Sequence, residues 1–249
     1  MNMFTAFSAA DDGDVDGAIR SLLEESRLLR TKLVASDTII HKLVTLAMLR
    51  DNFETVAYIH NLHKAHAMEP IRPLDSSELS FEKPLRNEFA LMSEVVVELG
   101  RDPDYLSEKS HVLALVAGLT YRPNVLANKI AERIQKHIDL SQIGQAKFSA
   151  AVKKLDLTSG RAYSMIPNVQ NYLVRFADVD YTHSIGQAFD LNAKISLVNA
   201  QITGNPNSLE NPYYPGEDVE LREDDLAVCM TGPLPDDRRF RCLIIGVHE

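Results

Sequence analysis

Apolar residues recur at three- and four-residue intervals along most of this chain, and the densest such pattern lies between Ser36 and Ala67. Ile39, Ile40, Leu43, Leu46 and Ala47 fall on one side of a helix at about 100° per residue, and Phe53, Val56, Ala57 and His60 continue a similar stripe. The pattern predicts two helices meeting around Asp51-Asn52. Ser36 would accept a hydrogen bond from an orphan backbone N–H at the start of the first, and Asn52 would do so for the second. Stripes of this kind pack inward, so the pair reads as a core-forming hairpin around which the chain is organised.

Ahead of it, residues 1–14 read as a flexible, polar lead-in, followed by an amphipathic run with Ile19, Leu22, Leu23, Leu28, Leu29 and Leu33. Beyond the hairpin, Pro70 and Pro73 disfavour helix and make Met68 to Asp75 a loop. Asp75 with Glu78 three residues on forms a capping box, predicting a short helix and then a longer one ending at Gly100, with Pro84 interrupting the pattern. Arg101 to Asp104 reads as a turn. Helical spacing returns at His111 to Leu119, Pro123 to Ile138, Ile143 to Leu155, Pro167 to Phe176 and Val179 to Ile202, where Gly204-Asn205-Pro206 ends it.

The character then changes. Asn211-Pro212-Tyr213-Tyr214-Pro215-Gly216 cannot continue a helix, and two β-compatible runs follow, Leu226 to Met230 and Phe240 to Val247, separated by turn formers. The expected fold is mainly α, a multi-helix array of roughly eight helices with a small C-terminal β-hairpin. Its domain division is a helical unit over 15–204 and a connector with hairpin over 205–249 packed against it.

Composition adds limits. With 249 residues, 45% hydrophobic and 24% charged, the chain can bury a core without staples. A net charge of −9 and a pI near 5.4 repel phosphate backbones, and no basic stripe appears, so nucleic acid is not an expected partner. The longest stretch free of formal charge, Ile195 to Leu209, is broken by Asn, Gly and Pro and is shorter than the ~18 apolar residues a bilayer span requires. Met1 to Ala10 lacks the basic and apolar regions of a secretory signal.

The two cysteines bear on compartment. If the terminal strands pair symmetrically about their loop, Cys229 faces Cys242 and a cross-strand disulfide is available, contributing on the order of 3 kcal/mol. The alternative is a pair of buried free thiols in a cytosolic protein.

Candidate chemistry is sparse. Asp12, Asp14 and Asp16 with Gly17 match the first half of a calcium loop, but Leu23 stands where the bidentate Glu belongs, so the segment reads as an acidic helix cap. His60, His63 and His66 resemble a metal cluster in spacing. His60 and His66 diverge by about 120° around a helix axis, and imidazoles near a helix C-terminus complement its dipole without any metal. No zinc-protease, nucleophile-elbow, P-loop or dinucleotide motif is present, and no cofactor is expected. Glu78, Glu82, Glu88 and Glu94 read as the solvated face of a helix. Tyr213 and Tyr214, flanked by Pro212 and Pro215, read either as a ligand-contacting platform or as a lock onto the core.

Several stretches together resemble a group of uncharacterised Gram-negative bacterial proteins that carry one N-terminal membrane anchor and a mostly helical envelope-facing domain. The matching pieces are Ala35 to Leu43, the Pro-Leu-Asp and Leu-Arg-Asn-Glu-Phe segments between Arg72 and Phe89, Tyr121-Arg122-Pro123-Asn124, the Phe189-Asp190-Leu191-Asn192 helix, and Asn211-Pro212-Tyr213. The group tends to place a Gly soon after the Asn-Pro, where this chain has Tyr213-Tyr214-Pro215 first, so no binding residue is carried over. The resemblance implies a periplasmic domain whose inner-membrane anchor lies outside this chain, and it brings no activity.

The expected function is a non-catalytic cell-envelope domain that binds a protein partner or envelope component through a helical surface or groove. A hydrolase of envelope polymers using carboxylates or His60 and His63 is the rival, which leaves enzymatic activity open. A helical oligomerisation scaffold is the third reading.

Overall fold

Met3 to Ala10 carries no charge, and its alanines stand four apart, so one face can approach a neighbouring helix closely. In the computed structural model this stretch is helix α1, Met3–Asp11, with Ala6 and Ala10 buried. Phe7 meets Tyr58 edge-on at 5.6 Å between ring centroids. The expectation of a flexible segment over 1–14 is thereby corrected for residues 3–11. The described residues are 3–63, 65–66, 68–101, 122–159, 179–205, 209–216, 221–224, 227–235 and 238–244.

Gly13, at φ 98°, turns the chain into α2, Val15–Ala35, whose N-cap Asp14 accepts from the Gly17 N–H at 3.1 Å. Helix α3, Ile39–Leu62, packs along α2 and runs unbroken through Asp51-Asn52. The expected division into two helices is wrong because Asn52 is buried as part of the inward stripe and does not turn outward to cap. Thr38, not Ser36, caps α3 by accepting from the His41 N–H, while the Ser36 hydroxyl donates back to the Lys32 carbonyl and closes α2.

Asp75 and Glu78 form the capping box of α4, Ser76–Leu79. Helix α5, Glu82–Arg101, follows with Pro84 in its first turn, where a missing N–H costs nothing. Helix α6, Pro123–Gln142, begins on proline and buries Leu126, Ile130, Ile134 and Ile138 against α5 and its neighbours. Helix α7, Gln145–Ser159, buries Phe148 and Val152. The helices expected at His111 to Leu119 and Pro167 to Phe176 lie outside the described residues.

Helix α8, Thr182–Ile202, is buried almost all round from Ile185 to Val198, including Asp190, Asn192 and Lys194. A helix enclosed on every side is the centre of its fold, so α8, not the Ser36–Ala67 hairpin, is the element about which the others are arranged. Helices α3, α4 and α6 pack on it, as do the C-terminal elements.

Those elements are strands β1 Leu221–Asp224, β2 Ala227–Met230 and β3 Cys242–Ile244, with a one-turn helix α9, Arg238–Arg241, inserted before β3. The sheet is antiparallel in the order β1-β2-β3, so the C-terminal hairpin carries a third short strand on its outer side. The β2–β3 register sets Cys229 opposite Cys242, and the two form a disulfide.

Candidate functional site

An open groove of about 740 Å³ runs between the outer face of α2 and the segment 69–78. Residues 23, 26, 27, 30, 31 and 34 recur at helical spacing, so α2 offers them to the groove as one continuous face. The opposite wall is extended chain, because Pro70 and Pro73 remove two backbone donors and bias the residues before them away from helix.

That extended segment is held on its far side by α8. The Ile71 N–H donates to Asn199 Oδ1 at 2.7 Å and its carbonyl accepts from Asn199 Nδ2 at 2.8 Å. Leu74 repeats the arrangement with Asn192, at 2.7 and 3.4 Å. On the groove side Arg30 takes over. Its Nη1 and Nη2 donate to the carbonyls of Arg72 and Pro73 at 2.6 and 2.7 Å, and its Nε and Nη2 form a fork on Glu78 at 2.6 and 2.7 Å.

Glu78 also accepts from Arg72 Nη2 at 3.1 Å and from the Asp75 N–H at 2.7 Å. It is 3% exposed, which corrects its expected place on a solvated helix face. A buried carboxylate is tolerated because every lone-pair direction meets a donor. Neighbouring Asp75 has its carboxyl held well below the usual range by the Ser77 hydroxyl, then by the Glu78 N–H and Arg72.

Behind Glu78, the Lys42 ammonium donates to the carbonyls of Leu33 and Glu78 at 3.3 and 3.0 Å and lies over the Phe81 ring at 5.1 Å. Burial lowers its pKa to about 8, with Glu78 opposing the shift. The groove's apolar surface comes from Leu23, Val34, Ala35, Phe53, Pro70 and Ile71. Arg27 on the α2 wall and Glu69 on the opposite wall make no side-chain ion pair among the described residues.

The residues singled out in the sequence lie elsewhere. His60 Nε2 faces the His66 carbonyl at 3.2 Å, and His63 Nε2 sits 3.6 Å from Asp11 Oδ1, so the imidazoles are not brought together. Asp14 is occupied as a cap, while Asp12 and Asp16 are exposed. Among the described residues no group of three or more His, Cys, Asp or Glu side chains is placed to hold a metal ion.

Tyr213 is 2% exposed, and its hydroxyl donates to Asp190 Oδ1 at 2.6 Å. Burial and then Asp190 push its pKa well above the ordinary value. Arg241 Nε reaches the same Asp190 oxygen at 3.5 Å, and Asn211 Nδ2 donates to the Thr231 carbonyl at 3.0 Å. Tyr213 therefore locks the connector and C-terminal elements onto α8, which corrects its candidacy as a ligand contact. Tyr214 is partly buried, and its hydroxyl accepts from Ser149 Oγ at 3.4 Å.

Arg30, Arg72, Asn192 and Asn199 escaped sequence reasoning. The signals were the two prolines three apart, which mark extended chain, and two amides seven apart on an otherwise apolar helix. No helix among the described residues is long and apolar enough to cross a membrane. Comparison with family models, with characterised proteins and with solved structures finds no match.

Proposed function

We infer that this chain is a non-catalytic cell-envelope domain that binds a partner protein or envelope component in the groove between α2 and residues 69–78. The observation that carries the reading is the state of the groove's charged floor. Arg30, Arg72, Asp75 and Glu78 are spent on one another and on backbone groups, so the groove offers shape and apolar surface. An acid, base or nucleophile poised for chemistry would need an open coordination to substrate. A cavity of this volume lies within the usual range for bound ligands.

The envelope assignment draws on the resemblance of Ala35 to Tyr213 to anchored periplasmic proteins and on the Cys229–Cys242 disulfide, since such bonds persist in oxidising compartments. The anchor belongs to sequence outside this chain.

A benzophenone amino acid at Val34 of the full-length protein, in cells that express it naturally, tests the binding reading. The control position is Glu132 on the exposed side of α6. A discrete adduct at Val34 alone is the expected result, and no adduct, or equal labelling at both, overturns it. Alkylation and mass analysis of envelope-derived protein tests the compartment, and two freely alkylated thiols would remove that support.

A helical oligomerisation scaffold is the second reading, favoured by Ile40, Val44 and Met48, which stand four apart on α3 and are 76%, 52% and 43% exposed. Light scattering of the purified chain separates the two, since the binding reading requires no self-association.

A further inference from the structure

Between Leu23 and Val34 the α2 wall of the groove is eleven residues long, or about 16 Å at the helical rise. Spread over that length, the cavity has a cross-section only about 7–8 Å wide, whereas a helix with its side chains needs about 10–12 Å. The groove therefore suits extended chain, and about five residues of it at strand rise.

The charges on the two walls differ in sign and in commitment. Arg30 and Arg72 are tied to Glu78 and Asp75, which leaves Arg27 on α2 and Glu69 on the opposite wall as the lining charges without an internal ion pair among the described residues. Both are exposed. Between them lie Leu23, Val34 and Ile71, with Phe53 beneath at 1% exposure. A lone cation facing a lone anion across an apolar trough gives a bound chain a preferred direction, because reversing it places like charges together.

We propose that the groove receives a short extended segment of a partner protein, in which an apolar side chain entering the trough is flanked by an acidic residue meeting Arg27 and a basic residue meeting Glu69. Alternation of side chains along an extended segment lets one face fill the trough while its neighbours reach the walls. The inference rests on the binding reading above and adds the chemistry and direction of what binds.

Random twelve-residue peptides displayed on phage, selected against the full chain and then measured by calorimetry as free peptides, provide the test. Selected peptides should share an acidic and a basic residue about an apolar one. Arg27→Glu should weaken them about tenfold, and changing the peptide's acidic residue to Lys should restore binding to that variant. Glu69→Lys with the opposite exchange in the peptide should behave in the same way. Both positions are exposed, and unchanged thermal unfolding of each variant verifies that the fold is intact. Peptides lost on Val34→Glu but indifferent to both charge reversals would overturn the proposal and leave groove binding standing. Selected peptides indifferent to Val34→Glu, or no selected peptide at all, would overturn it too. The cellular labelling at Val34 reports separately on whether the groove is a binding site.

Discussion

Asn192 and Asn199 stand two turns apart on one face of α8, and each grips both backbone groups of one residue in the extended segment, Leu74 and Ile71. The match is metric. Seven residues of helix rise about 10.5 Å, and three residues of extended chain cover about 10 Å. Side-chain amides here do the work of a neighbouring strand, and they fix one wall of the groove.

Replacing either asparagine by Asp should therefore cost more than replacing it by Ala. The carboxylate keeps the acceptor for the N–H but sets a buried negative charge against the carbonyl of Leu74 or Ile71. Hydrogen exchange at the Ile71 and Leu74 amides should accelerate in all four variants, with the local change at the matching residue first. Chemical denaturation should show a loss of about 1–3 kcal/mol for Asn192→Ala.

Lys42 predicts a stability that rises toward alkaline pH. Its folded pKa, about 8, lies below the 10.5 of the unfolded chain, so between those values the unfolded state binds more protons. The contribution of Lys42 thus improves as pH rises through that window. The stability of the native chain relative to Lys42→Met should shift in the native chain's favour by about 2 kcal/mol between pH 7.5 and 10. Urea midpoints of the two proteins measured in parallel give the difference.

Tyr213→Phe removes the hydroxyl that donates to Asp190 and leaves a buried carboxylate short of a donor. A loss of about 1–3 kcal/mol is expected. In a double-mutant cycle with Arg241→Met the effects should be non-additive, since both residues serve the same oxygen of Asp190. Limited proteolysis should cut the connector at residues 209–216 sooner in both single variants.

Reduction of Cys229–Cys242 should lower the melting temperature without dispersing the helical unit. The bond closes a short loop, a constraint worth on the order of 3 kcal/mol, while the α8 core is held by burial. Far-UV circular dichroism at 25 °C should keep its helical signal after treatment with a dithiol, and loss of that signal would assign the disulfide a global role.

The helical class, the capping box at Asp75 and Glu78, the start of α6 on Pro123 and the register that sets Cys229 against Cys242 could be read from local pattern. Each depends on residues close in sequence: the spacing of apolar side chains, a cap three positions from its donor, two strands about one loop. What the chain does with Asn52, Glu78 and Tyr213 could not be read that way. Polar and aromatic letters signal caps, solvated faces or platforms by default, and only the environment supplied by distant segments makes them interior.

The groove belongs entirely to that second kind. Its walls come from α2 and from a proline-bounded segment pinned to α8 by contacts spanning 128 and 118 positions. Periodicity decides which side of an element is apolar, because that is a property of one helix or strand. Which buried amide meets which backbone group, and where two walls stop short of touching, depends on how separate elements pack, and only the tertiary structure decides it.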